Sequence, residues 1–355
     1  MSADTRPRLN PAARALWRDD TTIQIGLDPT RAVVIDSVDP ATVRLLRNLD
    51  GTRSEAEILA DAAATGLDVS VVARLLTALR QHHLLDDGPP VGLWAVGGPE
   101  VADRLAPDHS SLALLHPGNL ASRILRRRRR AAVVVHGAGR VGGPLACLLA
   151  ASGVGRVVVV DHAPVRLGDC APAGLSPADQ HRRRADAVVE TMRRWAPEVD
   201  TTALPPSRYP DLVVLTETPP RGSDLLAAMH AAGVPHLLVG IRETTSVVGP
   251  LVLPGRSSCL RCADLHRCDR DPSWPALAAQ LATPRRGVAE PCDLVLSSLT
   301  TSLTAMQVLT HLDGDTAAVV GGTLETRLPD WQTRRRTWPA HPGCGCGAGQ
   351  GLRAG

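Results

Sequence analysis

Residues 131–161 read AAVVVHGAGRVGGPLACLLAASGVGRVVVVD. The apolar run that opens this stretch has the length of a buried strand. HGAGRVGG then sets Gly137, Gly139 and Gly142 in the spacing G-x-G-x-x-G, followed by an apolar helix to about Ser152 and a second strand ending at Asp161. Each residue type has a task in a nucleotide-binding turn. Gly137 permits the tight turn, Gly139 lets the backbone approach a phosphate, and Gly142 lets the helix pack against the strand. The helix start offers free N–H groups and about half a positive charge to an anion. Asp161 stands about 20 residues further on, where an acid accepts hydrogen bonds from ribose hydroxyls. The competing reading is a turn kept for packing after a ligand was lost.

The chain after Asp161 keeps alternating. A helix is expected at 183–197, a strand at 211–217, a helix at 223–233, strands at 236–241 and 247–253, and a helix at about 293–312. That order predicts an α/β, Rossmann-like, mostly parallel sheet with helices on both faces.

Upstream of residue 131 the pattern differs. Residues 91–130 read as a Gly/Pro-rich linker and a helix ending in five arginines, Arg126–Arg130. The run reads either as a solvated face or as cations near a bound phosphate. Residues 11–90 predict a small α+β module. TIQIGLDPTRAVVID (22–36) has the form of a hairpin. Asp39 caps a helix that starts at Pro40 and runs to about Arg47. Ser54 and Glu57 space as a capping box for a second helix, to about Ala64. A third starts at Ser70, with Val71, Leu75, Leu76 and Leu79 on one stripe. Polar residues 1–10 are expected to be disordered, and 348–355 to form a tail.

Eight cysteines occur: Cys147, Cys170, Cys259, Cys262, Cys268, Cys292, Cys344 and Cys346. SSCLRC and HPGCGCG bring two short-spaced pairs, Cys259 with Cys262 and Cys344 with Cys346. Four thiolates on glycine-rich turns make a tetrahedral, structural zinc site at residues 259–346, which closes the domain 131–347. His341 is a substitute ligand or simply part of a His–Pro–Gly turn. Cys292 precedes the 293–312 helix, whose start would lower a thiol pKa, so it is a candidate reactive thiol or an ordinary cysteine.

The 355-residue chain has no Phe, one Tyr and six Trp, so its core must be aliphatic. A net charge of +3 is too small to make nucleic acid the main partner. No run of about 18 apolar residues and no signal-peptide pattern appear, which predicts a cytoplasmic protein with no membrane partner.

Four segments taken together resemble the ThiF/MoeB/HesA superfamily of ubiquitin-activating-like adenylyltransferases. They are the glycine stretch, VGPLVLPGRSSCLRC, SSLTTSLTAMQVL and the terminal cysteine pair. The resemblance spans about 131–347. It implies ATP binding with magnesium, adenylation of a protein or peptide C-terminal carboxylate, structural zinc and a homodimer. A ubiquitin-like carrier or a precursor peptide would be the partner. It also implies charged groups that this sequence alters. In DHAPVRLGDCAPAG (161–174) the second acid becomes Ala163, an Asn becomes Asp169, and the arginine finger falls at Pro172. The phosphate-contacting Lys aligns with Arg183 or Arg184, which keep the charge but not the geometry. The magnesium Asp falls at Thr218, and the adjacent Glu217 is expected to point to the other face of its strand. Arg166 and Arg182 are candidate compensations. Losing an arginine finger or a metal carboxylate costs orders of magnitude in phosphoryl-transfer rate.

The N-terminal hairpin, its three helices and LDGTRSEAEI resemble the winged-helix PqqD-like peptide-recognition element. A branch of the superfamily couples that element to a ThiF-like domain without the full catalytic set. It presents the leader of a ribosomally made precursor peptide to a partner enzyme, often of the YcaO type. By that resemblance a leader would bind through strand addition at the 22–36 hairpin. The bland reading is a helical domain that stabilises the chain. A DNA-binding regulator fits less well, because Arg74, Arg80 and Gln81 are followed by Asp86 and Asp87. An NAD dehydrogenase would leave the cysteine pairs unexplained.

Overall fold

The computed structural model describes residues 5–86, 97–116, 120–217, 223–281 and 290–348. The chain divides into two compact units, Met1–Arg127 and Arg128–Gly355.

The first unit contains β1 (Arg8–Leu9), β2 (Ala15–Trp17), β3 (Ile23–Ile25), β4 (Val33–Ile35), α1 (Pro40–Asn48), α2 (Glu55–Ala64), α3 (Val69–Gln81), β5 (Leu85–Asp86), α4 (Pro99–Leu115) and most of α5 (Leu120–Arg130). The expected hairpin is β3–β4, and β2 joins it in a three-stranded antiparallel sheet, leaving β4 at an edge. Asp39 caps α1 by accepting the Thr42 N–H at 2.7 Å, and Ser54 with Glu57 forms the capping box of α2. On α3 the buried stripe is Val72, Leu76 and Leu79; Val71 is exposed. That is the 3.6-residue period counted from a start at Val69, one residue earlier than the sequence suggests. Disorder expected over residues 1–10 gives way at 5–10, because β1 pairs antiparallel with β5 and the fully buried Asn10 donates from Nδ2 to Ala113 O at 2.8 Å. The expected linker region carries the helices α4 and α5. Residues 87–96, and with them Asp87, lie outside the described residues.

The second unit continues with β6 (Ala132–His136), α6 (Gly142–Ala151), β7 (Arg156–Val160), α7 (Arg184–Trp195), β8 (Leu212–Leu215), α8 (Asp224–Ala231), β9 (His236–Arg242), β10 (Thr245–Val252), α9 (Leu260–Arg270), α10 (Trp274–Leu281), α11 (Leu294–Asp313), β11 (Gly322–Arg327) and β12 (Thr333–Thr337). Its seven strands run in the order β12-β11-β10-β9-β8-β6-β7. β7, β6, β8 and β9 are mutually parallel, and β10 to β12 continue antiparallel. The fold is the Rossmann-like α/β arrangement that the sequence predicts.

Alternation along the strands places helices on both faces. Val133, Val135, Leu212, Val214, Leu237 and Val239 enter a large cluster with Leu145 and Leu149 of α6, Val188 and Met192 of α7, and Val308 of α11. Their neighbours Val213 and Leu215 turn the other way, to Met229 of α8. The arginine run is split by burial. Arg128 is buried and forks onto Asp313, with Nε 2.7 Å from Oδ1 and Nη2 2.6 Å from Oδ2. It is neither a solvated face nor a cation waiting for phosphate.

Candidate functional site

β6 and β8 end side by side at the carboxyl edge of the parallel strands, the position at which α/β sheets bind ligands in a crevice. Gly137 follows β6 at φ +90°, and its N–H donates to Val160 O at 3.0 Å. A Cβ at Gly137 would lie 2.4 Å from Thr216 Oγ1, and one at Gly142 would lie 1.9 Å from the Gly137 carbonyl oxygen. At Gly139 a Cβ would meet nothing within 4 Å. Two glycines are therefore obligatory for closure, and the third faces open space. No side chain caps the start of α6.

Asp161 is buried beside this turn. Its Oδ2 accepts the Ala138 N–H and its Oδ1 the Ala163 N–H, both at 2.8 Å. A carboxylate has about four lone-pair positions, so acceptor capacity remains. The two aligned arginines separate. Arg183 is exposed, with Nη2 3.1 Å from His162 Nδ1. Arg184 turns inward between two acids, Nη2 2.7 Å from Asp169 Oδ2 and Nη1 3.5 Å from Asp161 Oδ2. Arg182 is held by Asp179 and Glu190. Pro172 lines an open cavity of about 600 Å³ with Leu175 and Trp195. Thr218 lies outside the described residues.

Glu217 departs from expectation. β8 ends at Leu215, so strand alternation no longer governs residue 217. Its Cγ lies 3.3 Å from the Cβ position of Gly137, which brings the side chain to the glycine turn. Cys292 departs too. Asp293 is the residue that caps α11, accepting the Leu296 N–H at 2.8 Å. Burial pushes the Cys292 thiol up despite the nearby Arg140 cation. Burial and the neighbouring Asp293 carboxylate thus work against the lowering expected from the helix start.

The four predicted zinc cysteines come together at the far end of β10 and β12. Sγ–Sγ distances are 3.8 Å for Cys259–Cys262, 3.6 Å for Cys259–Cys344 and 3.5 Å for Cys262–Cys346. A zinc–sulfur bond of about 2.3 Å in a tetrahedron separates its sulfurs by about 3.8 Å, whereas a disulfide needs about 2.05 Å. The donor set fits a zinc ion. His341 stays outside it. Its Nδ1 accepts the Gly343 N–H at 3.0 Å, so Nε2 carries the proton and donates to Asp269 Oδ2 at 2.8 Å. His266, Asp269 and His341 lie close together, but a His341 ring used at both nitrogens has no lone pair for a metal.

A model of the ThiF family matches residues 115–346. The chain belongs to the ThiF family. No curated protein matches it in sequence. Among solved structures it is similar to MccB of E. coli with ATP, at a TM-score of 0.70 and 13% identity over 96% of this chain and 99% of that one. MccB in complex with N-formylated MccA gives a TM-score of 0.69 at 13% identity, with the same coverage. PaaA gives 0.67 at 19% identity, over 92% of this chain and 99% of that one.

Two residues of this ThiF-family crevice escape a sequence reading. Thr216 closes over Gly137 and donates from Oγ1 to His136 O at 2.8 Å. Arg140, inside the glycine turn, donates from Nη1 to Cys292 O at 2.7 Å, tying the turn to the start of α11. A cation within a phosphate-type turn was the available signal for Arg140.

Proposed function

We propose that this ThiF-family chain binds ATP at the glycine turn and activates the C-terminal carboxylate of a peptide by adenylation. The observation that carries the reading is the pair Gly137 and Gly142, where no methyl fits, on either side of the open space at Gly139. Such a turn lets backbone N–H groups meet phosphate oxygens without side chains between. Asp161 would accept from the ribose with the lone pair left on Oδ1. Arg184, already oriented by Asp169, would set a fixed positive charge near the sugar and phosphates. In the reaction a peptide carboxylate oxygen attacks the α-phosphorus. The bond from that phosphorus to the bridging oxygen breaks, and pyrophosphate leaves with the electron pair. Glu217, whose side chain comes to the glycine turn, would hold magnesium, whose part would be to neutralise phosphate charge. Zinc at Cys259, Cys262, Cys344 and Cys346 would be structural, since all four positions are taken by sulfur. A peptide as the partner is supported by MccB, solved with MccA. A homodimer in the cytoplasm accompanies this reading. No helix among the described residues is long and apolar enough to cross a membrane.

The test is ATP–pyrophosphate exchange on the purified full chain with candidate peptides. Exchange that depends on a peptide carboxylate supports the reading; ATP failing to bind with or without magnesium removes it. A second reading, a docking scaffold for a precursor leader, is favoured by one observation. Pro172 stands in a largely apolar lining where the family resemblance calls for a cation. The free edge of β4 would then take the leader as an added strand. Leader binding without ATP binding selects this alternative.

A further inference from the structure

The antiparallel half of the sheet carries a concentration of arginines, of which packing onto Trp338 and onto backbone carbonyls uses only a part. Strand register sets Arg242, Thr245 and Arg327 side by side across β9, β10 and β11. They stand at the same end of the sheet as the glycine turn. The next rows of that face bring Glu325 opposite Arg334 and Thr323 opposite Arg336. Beyond them Trp338 is buried, and three guanidinium groups converge on its ring: Arg267 at 4.6 Å, Arg270 at 5.1 Å and Arg336 at 4.6 Å. Arg242, Arg327 and Arg336 have no carboxylate partner among the described residues. Arg267 has Asp264 at 3.1 Å. Its guanidinium pKa is lowered by burial and by the like charges of Arg242 and Arg336, although Asp264 opposes this. Positive charge on this face therefore exceeds what its acids balance.

The strand that presents this charge is β12, the outermost of the sheet, exposed at all five residues. Its outer N–H and C=O groups are a template for another strand. Arg335 is spoken for, donating to Ala318 O at 2.8 Å and Val320 O at 3.3 Å. Arg334 and Arg336 share the opposite face, about 7 Å apart, which is the two-residue repeat of an extended chain. Charged side chains on an edge also deter self-pairing. That role would be met by β12 alone and leaves Arg242 and Arg327, on the inner strands β9 and β11, unexplained.

We infer that β12 and the arginine face beside it receive an acidic peptide segment as an added strand, with carboxylates at alternate positions meeting Arg334 and Arg336. The partner is a peptide rather than a nucleic acid, because only a peptide can use the free backbone ladder as well as the charges. The row Arg242–Thr245–Arg327 continues the same face toward the crevice. The inference rests on the reading that the chain handles a peptide, and it names the acidic character of that peptide.

The experiment measures fluorescence anisotropy of a labelled peptide with alternating Glu and Thr on the full chain, at low salt. Three comparisons accompany it: the Lys-for-Glu peptide, a version N-methylated at alternate amides, and a single-stranded oligonucleotide of equal charge. Binding by the Glu peptide is expected. Arg334→Ala with Arg336→Ala should weaken it at least about tenfold, as should N-methylation, and the Lys peptide should not bind. With the unaltered chain, either no binding of the Glu peptide or tighter binding of the oligonucleotide overturns the inference. Unchanged affinity in the double variant does so as well. ATP binding by the same double variant should be unaltered. A failure here with intact ATP binding is thus distinguishable from failure of the adenylation reading.

Discussion

Arg184 holds its Nη1 3.5 Å from Asp161 Oδ2, so the inward arginine of the pair 183–184 reaches the acid beside the glycine turn. Arg183, one residue earlier, reaches only the His162 ring. Charged hydrogen bonds contribute about 1.5–3 kcal/mol. Arg184→Ala should therefore weaken ATP binding about 10- to 100-fold, and Arg183→Ala by less than about threefold. Isothermal titration of the two variants checks this; equal losses would show that the chain does not discriminate between them.

Gly139 and Gly142 predict opposite phenotypes. A methyl at Gly142 would overlap the Gly137 carbonyl at 1.9 Å, so Gly142→Ala should cost about 3 kcal/mol or more. A methyl at Gly139 meets nothing, so Gly139→Ala should keep its stability within about 1 kcal/mol. That methyl would stand where the backbone is to meet phosphate, and ATP affinity should fall at least about tenfold. Denaturant melts with nucleotide titrations separate the two effects.

The thiol cluster should hold one zinc per chain, read by elemental analysis. A strong chelator should lower Tm by at least about 10 °C, since structural zinc contributes several kcal/mol to folding. Cys344→Ser should lose the metal. His341→Ala should keep it, because His341 holds Asp269 and Gly343 and no part of the sulfur cluster.

His236 lies buried in β9, its Nδ1–H donating to Val234 O at 3.0 Å. Burial holds its pKa below the ordinary 6.5, opposed by the Val234 bond and reinforced by His230. His136 is lowered by burial as well. With the folded value below the unfolded one, the unfolded chain takes up the proton first. Stability is complete above 6.5 and falls as pH drops from there toward the folded values. Urea midpoints should decline from about pH 7.5 to about pH 5.5, and less in His236→Asn.

The alternating core of the second unit was legible because its strands are apolar runs closed by glycine or acid at fixed offsets. Gly137, Gly142 and Asp161 mark the β6–α6–β7 unit, and each bound from 131 to 253 falls within a few residues of the observed element. The cysteine pairs announced their meeting through spacing alone. Other features depend on facts no local pattern carries. β12 reads TRRRT, with no apolar face, so nothing in it alternates. Arg128 differs from its four neighbours only through Asp313, a partner distant in sequence. Arg184 and Arg183 are told apart by where α7 begins, at Arg184. Glu217 reaches the turn because its strand stops two residues earlier.

Cys259 leaves the end of β10, and Cys344 and Cys346 follow β12, with β11 between those strands. An ion among these sulfurs is a clasp that closes the intervening chain into a ring. A protease nick anywhere between Cys262 and Cys344 would then yield two pieces that still travel together. A chelating agent, not a reductant, would open that clasp.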